Sequence, residues 1–317
     1  MGKEGHGGHD HGHHHHHHHH GGATHGRAFL IGMTLNFAFV VVEVVYGLLS
    51  RSMALVADAG HNLGDVLGLG LAWGAALLAR RAPSVRHTYG LRRTTILASL
   101  LNAVTLVLVT GAIAWESLRR LFHPEAVDEK LVIVVALVGV VINGLSAVLF
   151  LRDRERDLNV GSAFAHLAAD AALALGVAVA GVVILFTGWL WLDPVVSIVL
   201  SITILFGSWS LLRTAIDLAL DAVPQGVDVA AIRAFLTAQE HVDSVHDLHI
   251  WALSTTEVAL TAHLSMPAGT CDPHFIAELC QKLHDQFGIE HSTLQVEAAE
   301  SRDKCRLASD DGRDGLR

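Results

Sequence analysis

Between residues 28 and 212 the chain alternates long apolar runs with short polar breaks. Each run is close to the roughly 20 residues that carry a helix across a bilayer. The pattern predicts six transmembrane helices over residues 28–49, 53–79, 94–118, 131–151, 162–186 and 190–212. Connections as short as Ser50 to Ser52 and Thr187 to Trp189 make neighbouring helices antiparallel. After Pro224 the period changes: Val227 to Glu240 reads as a helix, and His246 to Leu253 and Glu257 to Leu264 read as alternating strands. Pro273 to Phe287 follows as a helix capped by Asp272, and His291 to Glu297 as a last strand. An α-β-β-α-β order predicts helices on one face of a small mixed or antiparallel sheet.

Composition agrees: 51% hydrophobic and 17% charged residues, with a mean hydropathy of +0.44, describe a polytopic membrane protein. The net charge of -9 argues against a nucleic-acid partner. Cys271, Cys280 and Cys305 are odd in number, show no CxxC spacing and fit a reducing, cytosolic C-terminal region. Basic residues cluster in the second-to-third connection (Arg80, Arg81, Arg86, Arg92, Arg93), the fourth-to-fifth (Arg152, Arg154, Arg156) and after the sixth helix (Arg213). The positive-inside rule puts these loops, and both termini, in the cytoplasm, although Arg119, Arg120 and Lys130 on the other side blur the contrast. Residues 1–26 hold 12 of the 23 histidines, including the run His13 to His20. They form a polar tail without a core, with no cleavable signal peptide, and read as a native metal-collecting segment or as a purification tag.

Within this apolar chain, His61 and Asp65 stand four residues apart, and His166 and Asp170 repeat the spacing about a hundred residues later. On a helix each pair shares one face. The pairs read either as two local ion pairs or as one shared site of two imidazoles and two carboxylates. Repetition, and the small residues Ala57, Ala59, Gly60, Gly64, Ala165, Ala168 and Ala169 beside them, favour the shared site, because small residues let helices approach. That donor set fits Zn²⁺, with Cd²⁺, Co²⁺ and Ni²⁺ as competitors, and its lack of sulfur argues against Cu(I). Zinc binds only neutral imidazole, so metal and protons displace each other, which is the basis for exchange of metal against H⁺. Four protein ligands leave no place for a catalytic water, no HExxH is present, and the chain reads as no enzyme. Asn36, Glu43, Asn102 and Asn143 carry no assigned role; helix-helix hydrogen bonding suits the asparagines, while Glu43 lines the approach or carries protons on one of two open readings. Asp58 is likewise unassigned.

The ADAGHNLGD stretch from Ala57, the RRAPSVRHTYG loop from Arg80, the His166/Asp170 pair, the TGWLWLDP corner from Thr187 and VHDLHIWAL from Val245 resemble the zinc-exporting branch of the cation diffusion facilitator family. The resemblance covers nearly all the chain after residue 27. It implies a homodimeric, proton-coupled exporter of Zn²⁺, with Cd²⁺ and Co²⁺ as further cargoes, in the bilayer of a bacterial inner membrane. Six helices over residues 27–221 would precede a ferredoxin-like, metallochaperone-like cytosolic α+β domain over 222–300 and a loose tail over 301–317. His61, Asp65, His166 and Asp170 would then bind the cargo, and His246, His263 and Glu297, with His291 as a weaker candidate, would hold a cytosolic zinc ion. Many relatives place two cysteines shortly after that glutamate, whereas this chain has only Cys305 there, so the cytosolic site is incomplete, weaker or completed by a tail histidine. The alternative to export is a membrane-embedded zinc sensor or binding protein that transports nothing.

Overall fold

A computed structural model of the chain describes residues 37–152, 154–155, 158–267 and 272–298. The histidine-rich tail, the first residues of the first predicted span, Asn36, Cys271, Cys305 and the C-terminal tail lie outside the described residues. Eleven elements follow in order: α1 (Phe37–Ser50), α2 (Met53–Ala79), α3 (Thr94–Phe122), α4 (Glu129–Phe150), α5 (Leu158–Thr187), α6 (Leu192–Ala219), α7 (Val229–Thr237), β1 (Ser244–Ala252), β2 (Val258–Met266), α8 (Pro273–Phe287) and β3 (Ile289–Ala298). Helices α2 to α6 are each long and apolar enough to span a membrane, and α1 is described over its last 14 residues. The protein is a helical membrane protein with a small C-terminal α+β domain.

Pairing within the bundle is selective. Helix α4 packs along α5, α3 along α6, and α2 lies against both α3 and α6, whereas α2 and α5 touch only over a short stretch. Gly60, Gly64 and Gly68 form a stripe on α2 that brings α3 close. A Cβ on Gly64 would lie 2.7 Å from Leu106 Cδ1, and one on Gly68 would lie 2.6 Å from Asn102 Nδ2. Trp73, Leu108, Phe186 and Phe206 are exposed on outer faces, as lipid contact requires.

One end of the bundle is tied together by its connections. Ser52 caps α2 by accepting from Leu55 N–H at 3.1 Å, and its hydroxyl donates to Asp193 at the start of α6. Asp193 also accepts from the Met53 N–H at 2.7 Å and the Ala54 N–H at 3.3 Å, satisfying α2 donors that have no partner within the helix. The Asp128 N–H reaches Ser50 O at 3.0 Å, and Arg120 reaches Arg51 O at 2.8 Å. Arg119 and Arg120 both hold Glu116, at 2.8 and 3.0 Å. Those two cations, which blurred the charge asymmetry, are therefore anchored on their own helix.

At the opposite end the arginine-rich α2–α3 connection meets the C-terminal domain. Arg92 pairs with Glu257 at 2.7 Å, the Thr255 N–H donates to Thr95 Oγ1 at 3.1 Å, and Arg93 pairs with Asp221 just beyond α6. Helix α6 continues seven residues past its predicted end and delivers the chain to this junction.

The C-terminal sheet has the order β1-β2-β3, antiparallel between the first two and parallel between the last two, so it is mixed. Helix α8 is the crossover that a parallel pair requires. Asp272 caps it, Pro273 opens it, and Gly288 ends it at φ 66°, a left-handed conformation that suits glycine. Leu260, Ala262 and Leu264 of β2 face the core with Ile232 and Leu236 of α7 and Leu279 and Leu283 of α8. Alternation therefore turns Thr261, His263 and Ser265 to the other, open face.

Candidate transport site and C-terminal metal cluster

The short contact of α2 with α5 brings both His-Asp pairs to one place. His61 Nε2 lies 3.7 Å from Asp65 Oδ2 and 3.6 Å from Asp170 Oδ1, while His166 Nε2 lies 3.2 Å from Asp65 Oδ2 and 3.6 Å from Asp170 Oδ2. Each carboxylate thus faces both imidazoles, which separate local ion pairs would not do. The two rings stand edge to face, 6.0 Å apart. A tetrahedron with ligands about 2.0–2.1 Å from a zinc ion has edges of about 3.4 Å. The four His-Asp distances fall near that length, Asp170 turning a different oxygen to each imidazole, and His61, His166 and Asp170 offer ligand atoms that all lie within 4.8 Å of one another. Asp170 is buried, Asp65 and His166 are partly open, and the site therefore has a dry side and a wet side.

Local sequence explains the placement. His61 and Asp65 follow Gly60 and Gly64 by one residue each, so the glycine stripe packs on α3 while the ligand-type residues look towards α5. On α5, Ala165 and Ala169 precede His166 and Asp170 in the same way.

A second cluster forms on the open face of the C-terminal sheet. His246 and His263 are direct cross-strand partners, and Glu297 pairs with Ser265, one step diagonal to His263. Glu297 meets His246 Nε2 at 3.1 Å and His263 Nδ1 at 2.9 Å. These spacings again suit ligands of one small ion, with three donors among the described residues. Sequence reasoning missed Asp247. The strand bulges between His246 and His249, Asp247 adopts φ 51°, and its carboxylate faces His249 Nε2 at 3.0 Å and His263 Nε2 at 3.6 Å. An alternating strand pattern carries no sign of a bulge. His291 lies elsewhere: it pairs in register with Ala259 and stacks edge to face on Tyr89 at 5.6 Å, at the junction with the bundle.

Residues 29–218 match the cation efflux transmembrane domain family, and residues 224–299 match the cytoplasmic domain of cation efflux proteins. The chain belongs to the cation efflux, or cation diffusion facilitator, family. Among its relatives, the metal cation efflux system protein CzcD of Cupriavidus metallidurans is 35% identical over 274 residues, covering 86% of this chain and 87% of that protein. Zinc transporter ZitB of Escherichia coli is 34% identical over 273 residues, covering 86% and 87%. A cadmium, cobalt and zinc/H(+)-K(+) antiporter of Bacillus velezensis is 31% identical over 319 residues, covering 97% and 98%. The family is one of transporters, and metal cation efflux is the activity that its membership assigns to this multi-pass protein.

Proposed function

We propose that this chain exports Zn²⁺, with Cd²⁺ and Co²⁺ as secondary cargoes, in exchange for H⁺ at a site made of His61, Asp65, His166 and Asp170. The observation that carries the reading is the set of four His-Asp distances between 3.2 and 3.7 Å, each carboxylate shared by both imidazoles. Two carboxylates balance the charge of one divalent cation, which makes its residence inside a bilayer affordable. Imidazole nitrogens accept either a metal or a proton, so each arriving proton removes a ligand. Exposing the site first to one side and then to the other converts that competition into antiport. Names given to relatives, a zinc transporter and a cadmium, cobalt and zinc/H(+)-K(+) antiporter, support the same cargo and coupling.

His246, His263 and Glu297 would hold a regulatory zinc ion on the C-terminal domain, and Asp247 would orient His263 from its other nitrogen. Such an ion would bias transport by binding one conformation better than another. The arginine-rich end and the C-terminal domain would face the cytoplasm with both termini, and the protein would act as a homodimer in a bacterial inner membrane.

The test is flux. Purified protein in liposomes that contain a zinc-sensitive dye is given a pH gradient, and wild type is compared with His166→Ala and Asp65→Ala. Gradient-dependent zinc movement in wild type and its loss in both variants is expected. Zinc binding without flux in wild type would overturn export and identify a metal-binding protein that transports nothing.

A further inference from the structure

One turn from the candidate transport site, towards the end of the bundle tied by Ser52 and Asp193, two carboxyl groups sit together in the interior. Glu43 of α1 is 0% exposed and Asp58 of α2 is 2% exposed. Asp58 and Asn62 stand one turn apart on the same face of α2, so the Asn62 amide that holds Glu43 sets it beside Asp58. Asn62, itself 3% exposed, donates from Nδ2 to Glu43 Oε2 at 2.9 Å. Among the described residues, Glu43 Oε1 and Asp58 Oδ2 are buried and receive no amide, amine or hydroxyl donor. Neither α1, α2 nor α5 contains a lysine or arginine over its described residues. The other titratable groups facing the pair are Asp170 of α5, which adds negative potential, and His61 of α2.

Two ionised carboxylates side by side in the interior, with no lysine or arginine on the described residues of α1, α2 or α5, repel each other in a medium that screens poorly. A single proton between them removes the repulsion and supplies the missing donor. It leaves one negative charge, which the Asn62 amide faces. We infer that Glu43 and Asp58 form a proton-binding site of their own, holding one shared proton beside the four His and Asp residues. Asp58 precedes His61 by three residues, about 4.5 Å along the helix axis, so the pair lies between the transport site and the Ser52 end. A divalent cation arriving at the site raises the local positive potential and favours loss of this proton; return of the proton weakens the cation's hold by the same factor. The pair thereby adds a proton to the exchange. That role rests on the antiport reading, whereas the shared proton does not.

The experiment is infrared spectroscopy of the full chain in lipid nanodiscs at neutral pH, read at the C=O stretch of protonated carboxyl groups, for wild type, Glu43→Gln and Asp58→Asn. Expected is a wild-type band that is absent in both variants, since either substitution removes one partner of the shared proton. Addition of Zn²⁺ should diminish the wild-type band. In weakly buffered solution each variant should release about one proton fewer per bound Zn²⁺ than wild type. Monodisperse elution and a cooperative thermal unfolding transition certify the folding of each variant. A band missing from wild type, or surviving in both variants, overturns the assignment. A loss of one bound Zn²⁺ per protomer in either variant also overturns it, in favour of a metal at this position. Absence of flux in wild type with the band intact would sink antiport and leave the proton site standing.

Discussion

Asp170→Asn tests the charge balance on which export rests. Its two oxygens face one imidazole each at 3.6 Å, and its side chain is only 4% exposed. Asparagine keeps the shape and one oxygen but removes a charge. With two carboxylates and one Zn²⁺ the filled site is neutral; with one it carries an unbalanced positive charge inside the bilayer. An ionic group at that depth costs about 2.5–3.5 kcal/mol even on the gentler insertion scale, which at 1.4 kcal/mol per tenfold is roughly a hundredfold weaker binding. Asp65→Asn removes the same charge from a side chain that is 34% exposed, so water screens the imbalance and the loss is smaller. The assay is zinc titration against a chelating dye in nanodiscs, with His246 and His263 replaced by alanine to silence the C-terminal cluster. Affinity for Asp170→Asn within about threefold of the parent, or a larger loss for Asp65→Asn, would refute the reasoning.

Gly64→Val should lower the thermal unfolding temperature in detergent and weaken the transport site, because its Cβ would meet Leu106 at 2.7 Å and push α3 from α2. Overpacking of this kind costs about 1–3 kcal/mol, and an unchanged melting curve would show that the glycine stripe does not set the helix approach. At the C-terminal cluster, His263→Ala should reduce zinc affinity by more than the roughly 10- to 100-fold that loss of a supporting group costs. His291→Ala, which loses only its ring contact with Tyr89, should leave that affinity within about twofold of the parent; equal losses in the two variants would place His291 at the ion.

Much of the membrane region was legible because bilayer thickness imposes a long apolar run on every span. The predicted limits of α2 coincide with the observed helix, and those of α5 differ by a few residues. The overrun of α6 past residue 212 was not legible, since Arg213 and Asp217 look like a loop until Asp221 is seen holding Arg93. The two His-Asp pairs were visible as helical faces, and only their mutual distances separate one shared site from two ion pairs. In the C-terminal domain, elements and period were readable, but strand register was not. His246 opposite His263, Glu297 on the diagonal, the Asp247 bulge and the departure of His291 to Tyr89 all follow from register.

By itself the sequence determined the membrane character, the order of helices and strands, and the residue types available for metal chemistry. Those are properties of local composition and period, which act along the chain. Tertiary structure alone decided which carboxylate faces which imidazole, and that Glu43 of α1 comes to Asn62 of α2 beside them. It also decided that Asp193, 140 residues from Met53, completes the start of α2. Distance between helices depends on how glycine stripes and side-chain volumes pack in three dimensions, and no local pattern records it.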